Sequence, residues 1–258
     1  MASKFVWYEL MTSDAPGAES FYRDVVGWSA RDAGMTNLKY TLLLVGEIPV
    51  AGLMQCPPDV PQGQGGPGWL GYVGVADVDA TLAQAQKLGA SVHRAPTDIP
   101  GVGRFAVLAD PQGAVFALFK PNGASTPPAP MTPGTIGWHE LHAADAEKAF
   151  AFYSALFGWQ RTQAIDMGPL GIYQVFGDES APMGFGGMFN KPAEEAQPYW
   201  LYYFAVADID AAAARVTASG GIVRREPQQV PGGAWIIQGQ DPQGATFALV
   251  GMRRNGSA

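Results

Sequence analysis

The 258-residue sequence has a single cysteine, Cys56, and only three histidines. One cysteine excludes an intramolecular disulfide and any multi-cysteine zinc site, and it suits a reducing cytoplasm. Cys56 itself reads as a small buried or half-buried thiol. Charge is also sparse, at 15% of residues, with 23 acidic side chains against 16 basic ones and a net charge of -7. The basic residues form no run longer than Arg224-Arg225 or Arg253-Arg254, which speaks against nucleic acid or an anionic membrane as partner. No stretch approaches the roughly 20 apolar residues of a membrane span. The start of the chain reaches Glu9 without a long apolar core, so no secretory signal is expected and the expected location is cytoplasmic. A hydrophobic content of 47% provides ample material for a core.

What the sequence does contain is a repeat. Asp14 and Asp145 are 131 residues apart, and so are Phe21-Tyr22 and Phe152-Tyr153, Gly27-Trp28 and Gly158-Trp159, Trp69 and Trp200, and Asp77 and Asp208. The turn sequences Asp110-Pro111-Gln112-Gly113 and Asp241-Pro242-Gln243-Gly244 keep the same offset. Between these landmarks it drifts to 135, at Pro57 and Pro192, and then returns. The chain is two copies of one module, with a compensated insertion in a loop.

Each copy opens with an octapeptide, Trp7 to Asp14 or Trp138 to Asp145, that reads as a strand feeding a helix. The Asp caps an i, i+3, i+4, i+7 pattern of Ala18, Phe21, Tyr22 and Val25, or of Ala149, Phe152, Tyr153 and Leu156. The first helix should end near Gly27. A hairpin follows over Tyr40–Val45 and Pro49–Met54, then a Pro- and Gly-rich loop from Pro57 to Gly68. Next come a strand over Leu70–Val75, a helix over Asp79–Leu88, and short strands near Ser91–Arg94, Arg104–Ala109 and Ala114–Phe119. The pattern is βαβββ written twice per module. The fold class is therefore α+β, with modules over 1–120 and 136–254 joined by a linker over 121–135 that carries five prolines.

Alternation along the opening strands puts Trp7 with Glu9 and Met11, and Trp138 with Glu140 and His142, while His139 points to the opposite face. An inward carboxylate is costly unless paired, which suits either a general base or a carboxylate satisfied by backbone amides or a tyrosine. Both readings stay open for Glu9 and Glu140. His142 exists only in the second copy, where Met11 stands in the first, so one module is expected to be active and the other structural. Trp7, Trp138, Tyr40, Tyr173, Tyr72 and Tyr203 fall on strands where they either line a pocket for a planar molecule or fill it. His93 is expected at the surface.

Tandem βαβββ units with these landmarks resemble the vicinal oxygen chelate superfamily of glyoxalases, bleomycin resistance proteins and extradiol dioxygenases. Trp-x-Glu-Leu openings and the segment Gly103 to Ala114 are most similar to its two-module, glyoxalase-like branch. The resemblance implies that each module curls eight strands into a cup around a small molecule. It also implies a metal site, yet the matching ligand positions hold Trp7 and Trp138, Leu70 and Leu201, and Ala117 and Ala248. None of these offers an N, O or S donor to a divalent metal. No cofactor is expected at the usual site, and a divalent metal would need a relocated one around Glu9, Glu140 and His142. The expected function is binding of a small organic metabolite, with carboxylate-assisted isomerisation or lyase chemistry at Glu140, His142 and Glu9. Its alternative is non-catalytic sequestration of an aromatic or antibiotic-like molecule, by a monomer or homodimer.

Overall fold

The computed structural model describes residues 3–36, 38–56, 68–123 and 126–254. The first module runs β1 (Phe5–Thr12), α1 (Ala15–Val26), β2 (Ser29–Asp32), β3 (Tyr40–Val45), β4 (Ile48–Gln55), β5 (Gly68–Gly74), α2 (Val78–Lys87), β6 (Ser91–Ile99), β7 (Gly103–Ala109) and β8 (Val115–Pro121). The second repeats it as β9 (Ile136–Ala143), α3 (Ala146–Phe157), β10 (Gln160–Asp166), β11 (Ile172–Asp178), β12 (Ala181–Asn190), β13 (Tyr199–Val206), α4 (Ile209–Ala218), β14 (Ile222–Gln229), β15 (Trp235–Gln240) and β16 (Thr246–Gly251). The strands form two mixed, open sheets of eight, ordered β2-β3-β4-β1-β5-β8-β7-β6 and β10-β11-β12-β9-β13-β16-β15-β14. No helix among the described residues is long and apolar enough to cross a membrane.

Local chemistry sets the element ends. The carboxylates of Asp14, Asp77, Asp145 and Asp208 accept backbone N–H groups in the first turns of α1 to α4, and each such cap is worth about 1 kcal/mol. Gly27 and Gly158 stop α1 and α3 in the left-handed region, at φ 92 and 74, which only a residue without Cβ enters cheaply. The sequence reading lacks β2 and its counterpart β10. Every residue of β2 is exposed, so it buries no alternating face and leaves no apolar signature. The Pro57 to Gly68 loop lies outside the described residues except for Gly68, which begins β5.

The chain divides into two compact units, and each takes strands from both sequence copies. One holds residues 1–7, 70–125 and 139–200, the other 8–69, 126–138 and 201–258. The first is centred on Tyr153, whose ring stacks on Trp159 at 5.4 Å and meets the edge of Trp200 at 5.3 Å. Its hydroxyl donates to Asp110 Oδ2 (3.1 Å) and accepts from Trp200 Nε1 (3.0 Å). Asp110 Oδ1 meanwhile accepts the backbone N–H groups of Gln112 and Ala114, closing the Asp-Pro-Gln-Gly turn. The second unit repeats this with Tyr22, which donates to Asp241 Oδ2 (3.1 Å) and accepts from Trp69 Nε1 (2.9 Å). The recurring Phe-Tyr, Trp and Asp-Pro-Gln-Gly landmarks are thus parts of one device, which ties the helix of one copy to the turn of the other.

Candidate functional site

Strand β9 pairs in parallel with β12, setting Glu140 opposite Gly187 and His142 opposite Phe189. On the far side of β12, Val175 of β11 stands opposite Gly187 in antiparallel register. Alternation therefore collects Glu140, His142, Gly187, Phe189, Tyr173 and Val175 on one face. His142 is fully buried and lies between two carboxylates, with Nε2 2.9 Å from Glu140 Oε1 and Nδ1 2.7 Å from Glu195 Oε2. Its ring stacks on Tyr199 at 4.4 Å and meets Phe189 at 4.6 Å. Burial alone would lower the pKa of His142, but hydrogen bonds and charge from Glu140 and Glu195 outweigh it, and the net shift is upward. The two carboxylates thus favour the protonated imidazole, which can donate from both nitrogens.

Glu195 comes from the loop between β12 and β13. It is held there by Lys191 Nζ, which donates to its backbone carbonyl, and by the Tyr199 hydroxyl, 3.4 Å from Oε1. Sequence reasoning misses it because the loop lies where the repeat offset drifts, and the Glu194-Glu195 pair among Ala and Pro carries no period. Tyr173 lies flat across β12. A Cβ on Gly187 would fall 2.1 Å from its Cε1 and 2.5 Å from its Oη. The glycine is what lets this ring lie beside Glu140, stacked on Phe189 at 5.9 Å.

His139 occupies the other face of β9. It stacks on Phe5 at 4.4 Å, and its Nδ1 lies 2.7 Å from the Phe185 carbonyl, so this nitrogen carries the proton. Burial pushes its pKa down to about 4. In the first module Glu9 stands opposite Gly52 and Met11 opposite Met54, with Tyr40 across Gly52. Trp138 and Trp7 are half-buried on their strands. Tyr203 is buried opposite Ala248, and its hydroxyl accepts from Gln238 Nε2 at 3.0 Å.

The positions where the resemblance implies metal ligands do come together in the first module. There Leu70, Ala117, Tyr72 and Phe105 form a buried apolar cluster with Trp7 packed against it. A divalent cation does not fit such a lining, because no donor replaces its hydration shell. Nor does His142 suit a relocated metal, since both of its nitrogens face carboxylates at hydrogen-bonding distance. Among the described residues no three His, Cys, Asp or Glu side chains are placed to hold a metal ion.

The chain belongs to the Glyoxalase/Bleomycin resistance protein/Dioxygenase superfamily, whose family model matches it twice, over residues 4–118 and 135–249. It is 32% identical over 247 residues to the protein named "Putative glyoxylase CFP32" of Mycobacterium tuberculosis, covering 95% of this chain and 93% of that protein. It is 31% identical to the anthracycline biosynthesis protein DauV of a Streptomyces species, covering 96% and 92%. Among solved structures, the Mn(II)-bound glyoxalase from Novosphingobium aromaticivorans superposes with a TM-score of 0.64 at 17% identity, covering 98% of this chain and 82% of that one. The 2,3-dioxygenase LapB from Pseudomonas sp. KL28 gives 0.64 at 14% identity, covering 98% and 92%. These two establish the shared fold.

Proposed function

We propose that the chain binds a small, planar, hydroxylated organic molecule on the face of β9, β11 and β12 without a metal, and that Glu140 is its proton acceptor. The observation that supports this most is the double clamp on His142. His142 lies between Glu140 and Glu195 at hydrogen-bonding distance from each, which fixes the rotamer of Glu140 as proton acceptor. Two carboxyl groups against one imidazole leave the cluster rich in acceptors, which favours a ligand that donates a hydrogen bond over carboxylates and phosphates. Tyr173 and Phe189 supply aromatic surface beside it. The likeness to an anthracycline biosynthesis protein supports the same ligand class, since anthracyclines are planar polycyclic hydroxyaromatics. The modules that go with this reading span 1–120 and 136–254.

In the chemistry proposed, Glu140 takes a proton from an acidic C–H or O–H of the ligand and returns it at a second position of the same molecule. Isomerisation of this kind balances without an oxidant or reductant. His142 and Glu195 act as positioning residues, holding the carboxylate through its Oε1. The test uses chelator-treated protein and two probes. Titration with 1,2-dihydroxyanthraquinone should quench tryptophan fluorescence saturably, and Glu140→Gln should weaken binding at this face about tenfold to a hundredfold. With 8-hydroxy-1-tetralone, deuterium uptake from D2O next to the carbonyl should depend on Glu140. Saturable binding with no Glu140-dependent exchange would assign the site to sequestration. Binding at this face that ignores Glu140→Gln would sink the reading.

A further inference from the structure

The face that carries Glu140 has a counterpart one sequence copy earlier, on β1, β4 and β3. Glu9 stands opposite Gly52 and Met11 opposite Met54 on β4. Across β4, Tyr40 stands opposite Met54 and Leu42 opposite Gly52. A Cβ on Gly52 would fall 1.8 Å from the Tyr40 hydroxyl oxygen and 2.2 Å from its Cζ. So Tyr40 lies across Gly52 as Tyr173 lies across Gly187, and in each case the glycine is the register partner of the glutamate. Register partners on neighbouring strands are about 5 Å apart, so each tyrosine ring is within one ligand's reach of its carboxylate. Both rings are half-exposed.

The two faces differ in what flanks the acid. Met11 and Met54 occupy the places of His142 and Phe189. On the first face a thioether thus stands where the second carries the imidazole. Its two flexible thioethers contact aromatic rings favourably and adapt to their outline.

We propose that the first module carries a second organic-ligand site, built on Glu9, Tyr40 and Gly52, that takes a planar hydroxylated aromatic stacked on Tyr40 with a hydroxyl donated to Glu9. It rests on the ligand class proposed for the second module, and it makes the chain a two-site protein. Proton transfer at the clamped Glu140 sets the second module apart, while the first module only binds.

Isothermal titration of the full chain with 1,2-dihydroxyanthraquinone tests this. The expected stoichiometry is two per chain for the wild type and one for Tyr40→Leu, with the affected site weakened by at least about tenfold. Gly52→Ala should do the same by lifting the Tyr40 ring, and if it unfolds the chain Tyr40→Leu still reports. Glu140→Gln should also leave one site, and Tyr40→Leu combined with Glu140→Gln should leave none. A single wild-type site, lost with Glu140→Gln and untouched by Tyr40→Leu, would overturn the second site alone. A single site with the opposite sensitivity would uphold it and overturn the reading of the second module. No binding by the wild type would overturn both.

Discussion

Tyr153→Phe removes one oxygen atom and leaves the aromatic stack on Trp159 and Trp200 in place. That oxygen serves two buried groups, Asp110 at 4% exposure and Trp200 at 5%. Losing a hydrogen bond to a charged acceptor costs about 1.5–3 kcal/mol, and stranding the indole N–H costs about 1–3 kcal/mol more. Asp110 limits the sum, because its Oδ1 keeps two backbone donors and burial already holds its carboxyl above the usual range, ready to take a proton. The expected destabilisation at pH 7 is about 3 kcal/mol, or about 6–12 °C in Tm for a chain of this size. Urea unfolding followed by tryptophan fluorescence measures it, with the m-value unchanged. Tyr22→Phe should cost less, about 2 kcal/mol, because its indole partner Trp69 is only half-buried and can recover water. The Tyr153→Phe penalty should also shrink at acid pH, where a protonated Asp110 leaves no charge stranded. A loss below about 0.5 kcal/mol would refute the role given to this hydroxyl.

The two histidines of β9 should titrate in opposite directions. His139 is neutral in the fold, so its contribution is full above its unfolded value of about 6.5 and is lost as pH falls towards about 4, by about 3 kcal/mol in all. Urea midpoints between pH 4 and 7 should therefore fall for the wild type and flatten for His139→Phe; an equal acid loss in both would contradict the assignment. His142 is shifted upward, so its contribution is full below its unfolded value and is lost as pH rises through the folded one. Glu195→Gln should lower the pH at which the His142 ring titrates by NMR, and an unmoved titration would show that Glu195 does not share the proton. Asp145→Ala should cost about 1 kcal/mol through loss of the α3 cap, read by the same unfolding assay.

The sequence makes the periodic parts of this molecule readable. Asp14, Asp145, Gly27 and the Phe-Tyr pairs announce helix starts, stops and buried faces, because caps and apolar spacing are local properties of the chain. The exposed strand β2 has no such signature, and its pairing with β3 supplies what its side chains do not. Alternation places Glu140 and His142 together and turns His139 away, as the hydrogen bonds and ring contacts show. Glu195 is invisible to it because a loop, with no period, delivers that carboxylate from 53 residues away. The same holds for Tyr153 and Asp110, whose pairing joins two sequence copies through a single hydroxyl. Gly52 and Gly187 read as ordinary strand glycines until their register with Glu9 and Glu140 is known.

The central claim is that a clamped carboxylate, and no metal, receives the ligand at Glu140. Its most direct test is the affinity of the second-module site for 1,2-dihydroxyanthraquinone, measured in Tyr40→Leu protein before and after exhaustive chelation, with elemental analysis of each sample. The account predicts the same dissociation constant in both, and its loss with Glu140→Gln. Binding that disappears on chelation and returns with stoichiometric Mn(II) would contradict it.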